Sequence, residues 1–548
     1  MSIFSTGLSG LNAAQSALNS TSNNISNVNT PGYNREVTML GESRADGGVR
    51  VNDTQRQFNE YVASQLNAAT SKSSALEAYD QQVEQIDSLL ADREVGLAPL
   101  MQNFFSAMED LASAPSDPAA RQGVLGAADT LSAQFRSFDG YLQDMQEGIN
   151  GQIADEVTQI NNATDQLADI NREIALARAR GGEAPNSLLN QRDQMVHELS
   201  ERMDVDLNIQ DGKTYNISLP NGQPLVAGTQ HYRLEAMDSP DDPQRTVLGY
   251  RDSNDDLVAL EEDVVTGGTL GGLMDFRSET LDKTQNQVGQ LAVSLAASVN
   301  AQHQAGVDLN GDDGGALFKV GAPQAFAAEG NQSQVAEDGL VFQTEALDAD
   351  SPGLDGLRAT DYSVRFEDGK PEVLRKDDGQ VVEADWDDTD NRLSFGGITM
   401  TLNEAPADGD RFEVQPVRRA AANMETAIGD LDKIAASGAD GFGTGNNENA
   451  LAMQDLQDEP LVGGSATFSG AYGAMVSDVG NRTNIVQANL DAQQGLTKQL
   501  EAVQQSESGV NLDEEAANLI RYQQFYQANA RVIDTGTTIL DTILGLRN

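Results

Sequence analysis

Two apolar rows of spacing seven, one at each end of the chain, restrict its fold more than any other feature. Phe4, Leu11, Leu18 and Ile25 form the first row, with Leu8 one turn from Phe4 on the same face. Leu512, Leu519, Tyr526, Ile533 and Leu540 form the second. A repeat of seven is the seam of a helix that packs along another helix. Half a seam at each end, with hundreds of residues between, predicts that the termini pair and that the middle elaborates the shaft they form. Residues 1–34 contain no Asp, Glu, Lys or Arg. Gly7 and Gly10 each cost such a helix roughly 1 kcal/mol, so it is expected to need its partner.

The 548 residues allow several domains. There is no cysteine, which excludes disulfides, thiolate metal sites and thiol nucleophiles. No apolar run reaches the length of a membrane span, and the first residues lack the basic region and continuous apolar core of a cleaved signal peptide. The formal net charge is -50, which disfavours nucleic acid and anionic membrane as partners. The charge is uneven. Residues 1–60 carry four Arg against five acids, and 509–548 carry three Arg against five acids, so -47 of the -50 falls in 61–508. The middle therefore reads as a solvated exterior or as an adaptation to salt, and the sequence leaves both open.

Along the chain the apolar period alternates. Asn29-Thr30-Pro31-Gly32 places Pro and Gly as a type II turn needs them, with Tyr33 following. Residues 35–56 read as an extended arm. Val62, Ala69, Leu76, Val83 and Leu90 predict a long helix, which Pro115 and Pro118 interrupt. Ile153, Ile160, Leu167 and Ile174 predict a second, closed by Gly181-Gly182, and 187–203 a third. At Val205 the period becomes two, with Asn221-Gly222 as a hairpin turn. Helical spacing returns after the glycines of 267–272, through Leu281, Val288 and Leu295. A second β region includes Tyr362, Val364 and Phe366 ahead of Asp368-Gly369, then Ile398, Met400 and Leu402. From about 420 to 505 helix is expected, broken near 438–445 and 460–464. Asn511 is placed to cap the last helix, with Glu514 as in a capping box and Arg547 at the far end.

The expected class is mainly α with inserted β domains. Its parts are a terminal coiled-coil unit (1–60 with 505–548), a helical rod (61–205, 270–318 and 418–504), a small β region (206–269) and an outer β-rich domain (319–417). The rod is expected to be an intramolecular bundle.

Chemistry is scarce. Asp308-Leu309-Asn310-Gly311-Asp312 opens like a calcium loop, but Asp313 and Lys319 stand where Gly and a bidentate Glu belong. Gly441-Phe442-Gly443-Thr444-Gly445 lacks the preceding strand and the basic residue of a phosphate loop. His197, His231 and His303 are the three histidines, and none sits in a hydrolase motif. No catalytic residue, metal or cofactor is expected.

The terminal segments carry a resemblance. GLSGLNAAQSALNSTSNNISNVNTPGYNREV at 7–37 is similar to the N-terminus of bacterial flagellar rod and hook axial proteins. SGVNLDEEAANLIRYQQFYQANARVIDTGTTILDTIL at 508–544 resembles, more narrowly, the hook-associated protein 1 branch, the first hook–filament junction proteins. NSLLNQRDQMVHELS at 186–200 and NAQHQAGVDLNGDDGGALF at 300–318 are similar to internal segments of that branch. The resemblance implies a non-enzymatic adaptor of the extracellular flagellum, exported unfolded through the flagellar type III channel without cleavage. It implies a ring of copies, contacts with the hook protein and the second junction protein, and a cytoplasmic export chaperone that holds the C-terminal segment. The alternatives are another axial protein such as the hook subunit, or a secreted adhesin or effector that displays β domains on a helical stalk.

Overall fold

The computed structural model describes residues 3–43, 47–91, 96–210, 214–343, 356–439 and 443–546. Helix α1 (Ile3–Ser26) leads into a hairpin of β1 (Glu36–Glu42) and β2 (Val49–Arg56). Then come α2 (Glu60–Leu90), α3 (Leu97–Ser113), α4 (Pro118–Gly181) and α5 (Asn186–Arg202). Asn59 caps α2 by accepting from the N–H groups of Tyr61 and Val62. Helix α3 stops at Ser113, ahead of Pro115, and Pro118 opens α4, where a missing N–H costs nothing. Asp117 caps that start, and Gly182 at φ +83° closes the end. The 64 residues of α4 make an axis roughly 96 Å long.

The first β region lies along α4. One sheet contains β3 (Asp206–Gln210), β4 (Thr214–Ser218), β5 (Pro224–Ala227) and β6 (Gln230–His231), and the other β7 (Leu234–Asp238), β8 (Thr246–Arg251) and β9 (Leu257–Ala259). Asparagines of α4 clamp these strands by their backbones. Asn171 Nδ2 donates to the Tyr215 and Gly228 carbonyls (2.9 and 2.8 Å). Asn161 bridges both backbone groups of Leu234. Asn150 reaches the Gln244 carbonyl and the Thr246 N–H. Tyr215, Ile217, Leu225 and Leu248 share one apolar core with Phe135, Ile149 and Ile160 of α4, so this region is part of the rod rather than an appendage to it.

The glycines of 267–272, where the first β region is expected to end, open α6 (Gly268–Phe276). A Cβ on Gly272 would stand 2.1 Å from the Ala75 carbonyl oxygen, and one on Gly268 2.1 Å from the Arg202 backbone. The glycines are there because α6 presses its backbone against α2 and α5. A π turn at Arg277–Leu281 leads into α7 (Asp282–Gln304). Two short strands follow, β10 (Gly306–Val307) and β11 (Phe318–Lys319).

The outer domain is a two-sheet sandwich. Strands β12 (Gln324–Ala327), β14 (Tyr362–Glu367), β15 (Lys370–Arg375), β16 (Val381–Val382) and β20 (Arg411–Gln415) form one sheet in the order β12-β20-β14-β15-β16. Strands β13 (Val335–Phe342), β17 (Asp385–Asp387), β18 (Arg392–Phe395) and β19 (Ile398–Leu402) form the other, in the order β13-β19-β18-β17. Asp368 and Gly369, both at positive φ, make the tight turn between β14 and β15 that their sequence predicts. Val364, Phe366, Leu393, Met400 and Phe412 fill a core of their own. The domain enters and leaves side by side, because Gln324 pairs with Gln415.

Buried ions tie this domain to the rod. Arg418 pairs with Asp361 of the sandwich and with Asp282 of α7 (3.1 Å). Arg245 of the first β region holds the other Asp282 oxygen (2.8 Å) and Glu262 (3.2 Å), and Arg277 from the π turn also holds Glu262 (3.2 Å). Gln415 donates to Asp242 (2.8 Å). Burial raises the carboxyl of Glu413 to about 7, although Lys376 contacts both its oxygens (2.9 and 3.0 Å).

The segment after 418 departs from expectation. Residues 420–436 are not α-helix. They form 3-10 turns at Ala420–Asn423 and Leu431–Lys433 around β21 (Glu425–Thr426), followed by β22 (Ser437–Gly438). β21 pairs with β11, and β22 with β10. Met424, Ile434, Ala435 and Ala436 are buried, and such a short apolar run looks alike as helix or strand. Two arginines of α4, the buried Arg121 and the exposed Arg136, decide it. Arg121 donates to the Leu431 and Ile434 carbonyls (2.8 and 2.9 Å), and Arg136 donates to the Met424 carbonyl. Helix resumes in α8 (Glu448–Asp455), α9 (Phe468–Ser508) and α10 (Leu512–Gly545).

The raised Glu413 carboxyl gives a pH dependence of definite sign. Its folded value lies above the unfolded one, so its contribution to stability is present below about pH 4.5 and is lost as pH rises through about 7. Glu413→Gln should remove that loss. Thermal unfolding at pH 5 and pH 8 should show the variant gaining on the parent at the higher pH, by roughly 1–3 kcal/mol. Parallel pH profiles for the two proteins would contradict the assignment.

Candidate functional site: the paired terminal helices

The two ends of the chain form one antiparallel helix pair. A Cβ on Gly7 would meet Ile533 at 2.8 Å, a Cβ on Gly10 would meet Asn529 at 2.1 Å, and Gly536 lies under Phe4 and Ile3. The buried face of α1 consists of small residues, namely Gly7, Gly10, Ala13, Ala14 and Ala17, followed by Ser20, Thr21 and Asn24. The glycines that weaken the helix in isolation are those that let the backbones approach.

The row read from the sequence lies beside this contact rather than within it. Phe4, Leu11, Leu18, Ile25, Leu519 and Ile533 are half-buried. Leu8, Leu512, Leu540 and Tyr526 are 54%, 50%, 49% and 36% exposed. The pair thus brings the two rows together along one edge and leaves much of their apolar surface open. The small-residue stripe was missed because apolar counting gives glycine, serine and asparagine no weight. Its signal was present as the spacing of Gly7, Ala14 and Thr21, and of Gly10, Ala17 and Asn24.

At the rod end of the pair, polar residues lock the entry. Asn511 caps α10 through the N–H groups of Asp513 (3.0 Å) and Glu514 (3.3 Å), as expected. Glu514 does not fold back in a capping box. It pairs instead with Arg35 (2.8 Å), which also holds the buried Glu515 (2.7 Å). Arg547 lies outside the described residues. Asn24, 1% exposed, is fully engaged. Its Oδ1 accepts from the Tyr33 hydroxyl (2.8 Å) and the Glu36 N–H (2.9 Å), while its Nδ2 donates to the Glu36 carbonyl (2.9 Å) and to Glu515 (3.2 Å). Burial, then the charges of Glu36 and Glu515, push the Tyr33 phenol upward and keep it protonated. The Arg35 N–H also donates to the Ser508 carbonyl (2.8 Å).

The turn of Asn29, Thr30, Pro31 and Gly32 closes with the Tyr33 N–H on the Thr30 carbonyl (3.2 Å), with Gly32 at φ +69°. It is exposed and stands over a cleft of about 900 Å³ lined by the turn itself, by α2 and α5 and by the end of α9. The hairpin β1–β2 lies on α1 through Ser20 and Thr38 (2.7 Å) and joins the rod through Arg56 and Asp193 (2.5 Å).

The other residues singled out from the sequence are used structurally. The Asp308 carboxylate accepts from the N–H groups of Asn310 and Asp312 and from Lys433 (3.0 Å), which also holds Asp312 (2.9 Å). His303 is buried and donates from Nδ1 to Gly315 while Nε2 accepts the Ala435 N–H, a neutral tautomer whose pKa burial lowers. His197 bonds Asn67 (3.0 Å), and His231 lies 3.2 Å from Asp165. Gly441 and Phe442 lie outside the described residues.

Four family models match the chain. They are "Flagellar hook-associated protein FlgK helical domain" over 83–318, "Flagellar hook-associated protein 1, D2-like domain" over 341–416, "Flagella basal body rod protein" over 4–34 and "Flagellar basal body rod FlgEFG protein C-terminal" over 504–546. The flagellar hook-associated protein 1 of Escherichia coli is 38% identical over 556 residues, and that of Salmonella typhimurium 38% over 561, each covering 100% of both chains. The solved flagellar hook junction protein FlgK from Burkholderia pseudomallei matches with a TM-score of 0.74 and 27% identity, over 81% of this chain and 99% of that one.

Two substitutions probe the pair. Gly10→Leu should raise the intrinsic helicity of α1 by about 1 kcal/mol yet force Asn529 aside, at a cost of roughly 1–3 kcal/mol. Hydrogen exchange should quicken in α1 and in 522–536 while the rod stays protected. Arg35→Ala should leave Glu515 buried without its cation, which costs roughly 2–4 kcal/mol. Exchange should then quicken around 24–36 and 512–519. Unchanged protection in either variant would show that the contact contributes little.

Proposed function

We propose, on the premise that this chain belongs to the flagellar hook-associated protein 1 family, that it is the structural joint between the hook and the filament of a bacterial flagellum. Full-length identity of 38% to hook-associated protein 1 carries this reading. The chain works outside the cell as an axial component. It arrives through the flagellar type III channel in unfolded form and without cleavage, and weak terminal helices suit that route because little structure must be undone. A cytoplasmic chaperone holds the C-terminal segment until export.

The work done at the joint is packing rather than catalysis. Copies form a ring through the terminal helices, with the hook protein on one side and the second junction protein on the other. Phe4, Leu8, Leu11, Leu18 and Ile25, with Leu512, Leu519, Tyr526, Ile533 and Leu540, bury there what the isolated chain leaves open. Near-neutral ends suit burial between copies, since a charge enclosed without a partner is costly. Among the described residues, no group of three His, Asp or Glu side chains is placed to hold a metal ion.

Deletion should leave cells with hooks, no attached filaments and flagellin in the medium, and the intact chain should restore motility. Leu519→Asp should be secreted and should melt like the parent protein, because Leu519 is half-buried in the monomer. It should nevertheless fail to retain filaments, since assembly would bury an unpaired carboxylate at several kcal/mol. Normal motility in that variant would remove Leu519 from the seam.

A further inference from the structure

The cleft below the turn of Asn29 to Gly32 has a strand in its lining. Asp206, Leu207 and Ile209 of β3 line it together with Tyr61 of α2, His197 of α5 and Glu501 of α9. β3 ends its sheet, whose order is β3-β4-β5-β6. Alternate N–H and C=O groups along it therefore point away from β4 and lie outside the ladder.

The two faces of this strand differ. Leu207 and Ile209 stand opposite Ile217 and Tyr215 of β4 and share their face. Ile217 and Tyr215 are 1% and 3% exposed, whereas Leu207 and Ile209 are 38% and 40% exposed. The apolar face of the sheet thus runs out into the cleft uncovered. Asp206 lies on the other face by the period of two, with Asp204 two residues before it. Tyr61, 70% exposed, adds an open aromatic surface from α2.

The cleft is also one-signed. Five carboxylates line it, and its described lining residues include no Lys or Arg. Asp193 is engaged by Arg56 and Arg192. Glu60, Asp204, Asp206 and Glu501 make no ion pair among the described residues, so their charge is open to a ligand.

We propose that this cleft takes an extended basic segment of another protein, added to the free edge of β3, in which apolar residues alternate with Lys or Arg. Strand addition supplies main-chain hydrogen bonds, and alternate side chains set the choice of partner. One face of the added strand lies beside Leu207 and Ile209, and the other lies beside Asp206. The five residues of β3 offer roughly 17 Å of edge. The occupant comes from another protein because this chain has little to offer. Its 35 Lys and Arg stand against 85 Asp and Glu. Its adjacent basic pairs, Arg375-Lys376 and Arg418-Arg419, are engaged with Asp378, Glu413, Asp361 and Asp139. Arg178 and Arg180 alternate as an added strand requires, but they belong to α4. The site is complete in the single chain, so it stands or falls separately from the role as a joint.

Short labelled peptides test it on the purified full-length chain. A peptide of alternating Val and Lys should bind, as read by fluorescence anisotropy, and should slow hydrogen exchange at 206–209 in the unmutated protein. Peptides of equal length that alternate Val with Glu, or Ser with Lys, should bind about tenfold more weakly or worse. Ile209→Ser and Asp206→Lys, both at exposed positions, should melt like the parent and each weaken the Val-Lys peptide by about tenfold. Equal binding of the Ser-Lys peptide, or binding unchanged in both variants, would show diffuse attraction to an acidic surface and overturn the proposal. No binding of any peptide would overturn it too, leaving Asp206 as a charge that guards a bare edge. Self-association of the chain that is lost in Ile209→Ser would give the cleft to a second copy and refute the assignment to another protein.

Discussion

The close approach of α1 and α10 is the constraint on which the rest of the molecule depends. It brings residues 3–26 and 512–545 together across the whole length of the chain. A contact made by Gly7, Gly10, Ala13, Ala14 and Ala17 buries little apolar area, so its strength lies in many short backbone contacts. It covers the large side chains at its edge, such as Phe4 and Ile533, only in part. Phe525, Val532, Ile539, Leu540 and Leu512 stay outward. A leucine seam used up within the monomer would be more stable alone and would have less to offer another copy.

The ends of the pair differ in chemistry for the same reason. Where it meets the rod, Asn24, Tyr33, Arg35 and Glu515 form a closed polar cluster in which each buried group has a partner. Such a cluster sets direction as well as adding stability, because hydrogen bonds and ion pairs have geometry that apolar contacts lack. The sequence segments that carry the family resemblance at the two termini meet in this cluster. At the outer domain the same device recurs on a larger scale. Arg418, Arg245 and Arg277 meet Asp282, Asp361 and Glu262 where the sandwich, the first β region and α7 join. Each buried charge there would be expensive alone, so the three parts are held in one relation while the sandwich keeps its own core.

Length and period were legible along most of the chain. The long helices, the hairpin turns at Asn221-Gly222 and Asp368-Gly369 and the cap at Asn511 follow from local rules, and the structure contains them. What the sequence did not show shares a cause. Residues 420–436 form turns and short strands because Arg121 and Arg136, some three hundred residues earlier, bind their carbonyls. The glycines of 268–272 lie in a helix because α2 and α5 press against them. The first β region joins the rod because Asn150, Asn161 and Asn171 of α4 reach its strands.

By itself the sequence determined that the ends are amphipathic helices with complementary rows, that the acid lies in the middle, and that β regions interrupt a helical rod. It also carried the family. These are properties of neighbours along the chain, where spacing alone sets which side chains share a face. Only the tertiary structure decided which row touches which. The helices meet on their small residues, the leucine row becomes an edge, and a second row at Phe525, Val532, Ile539 and Leu546 is left bare. Periodicity marks the faces of a helix but does not rank them, because the depth to which a partner can approach depends on side-chain volume on both helices together.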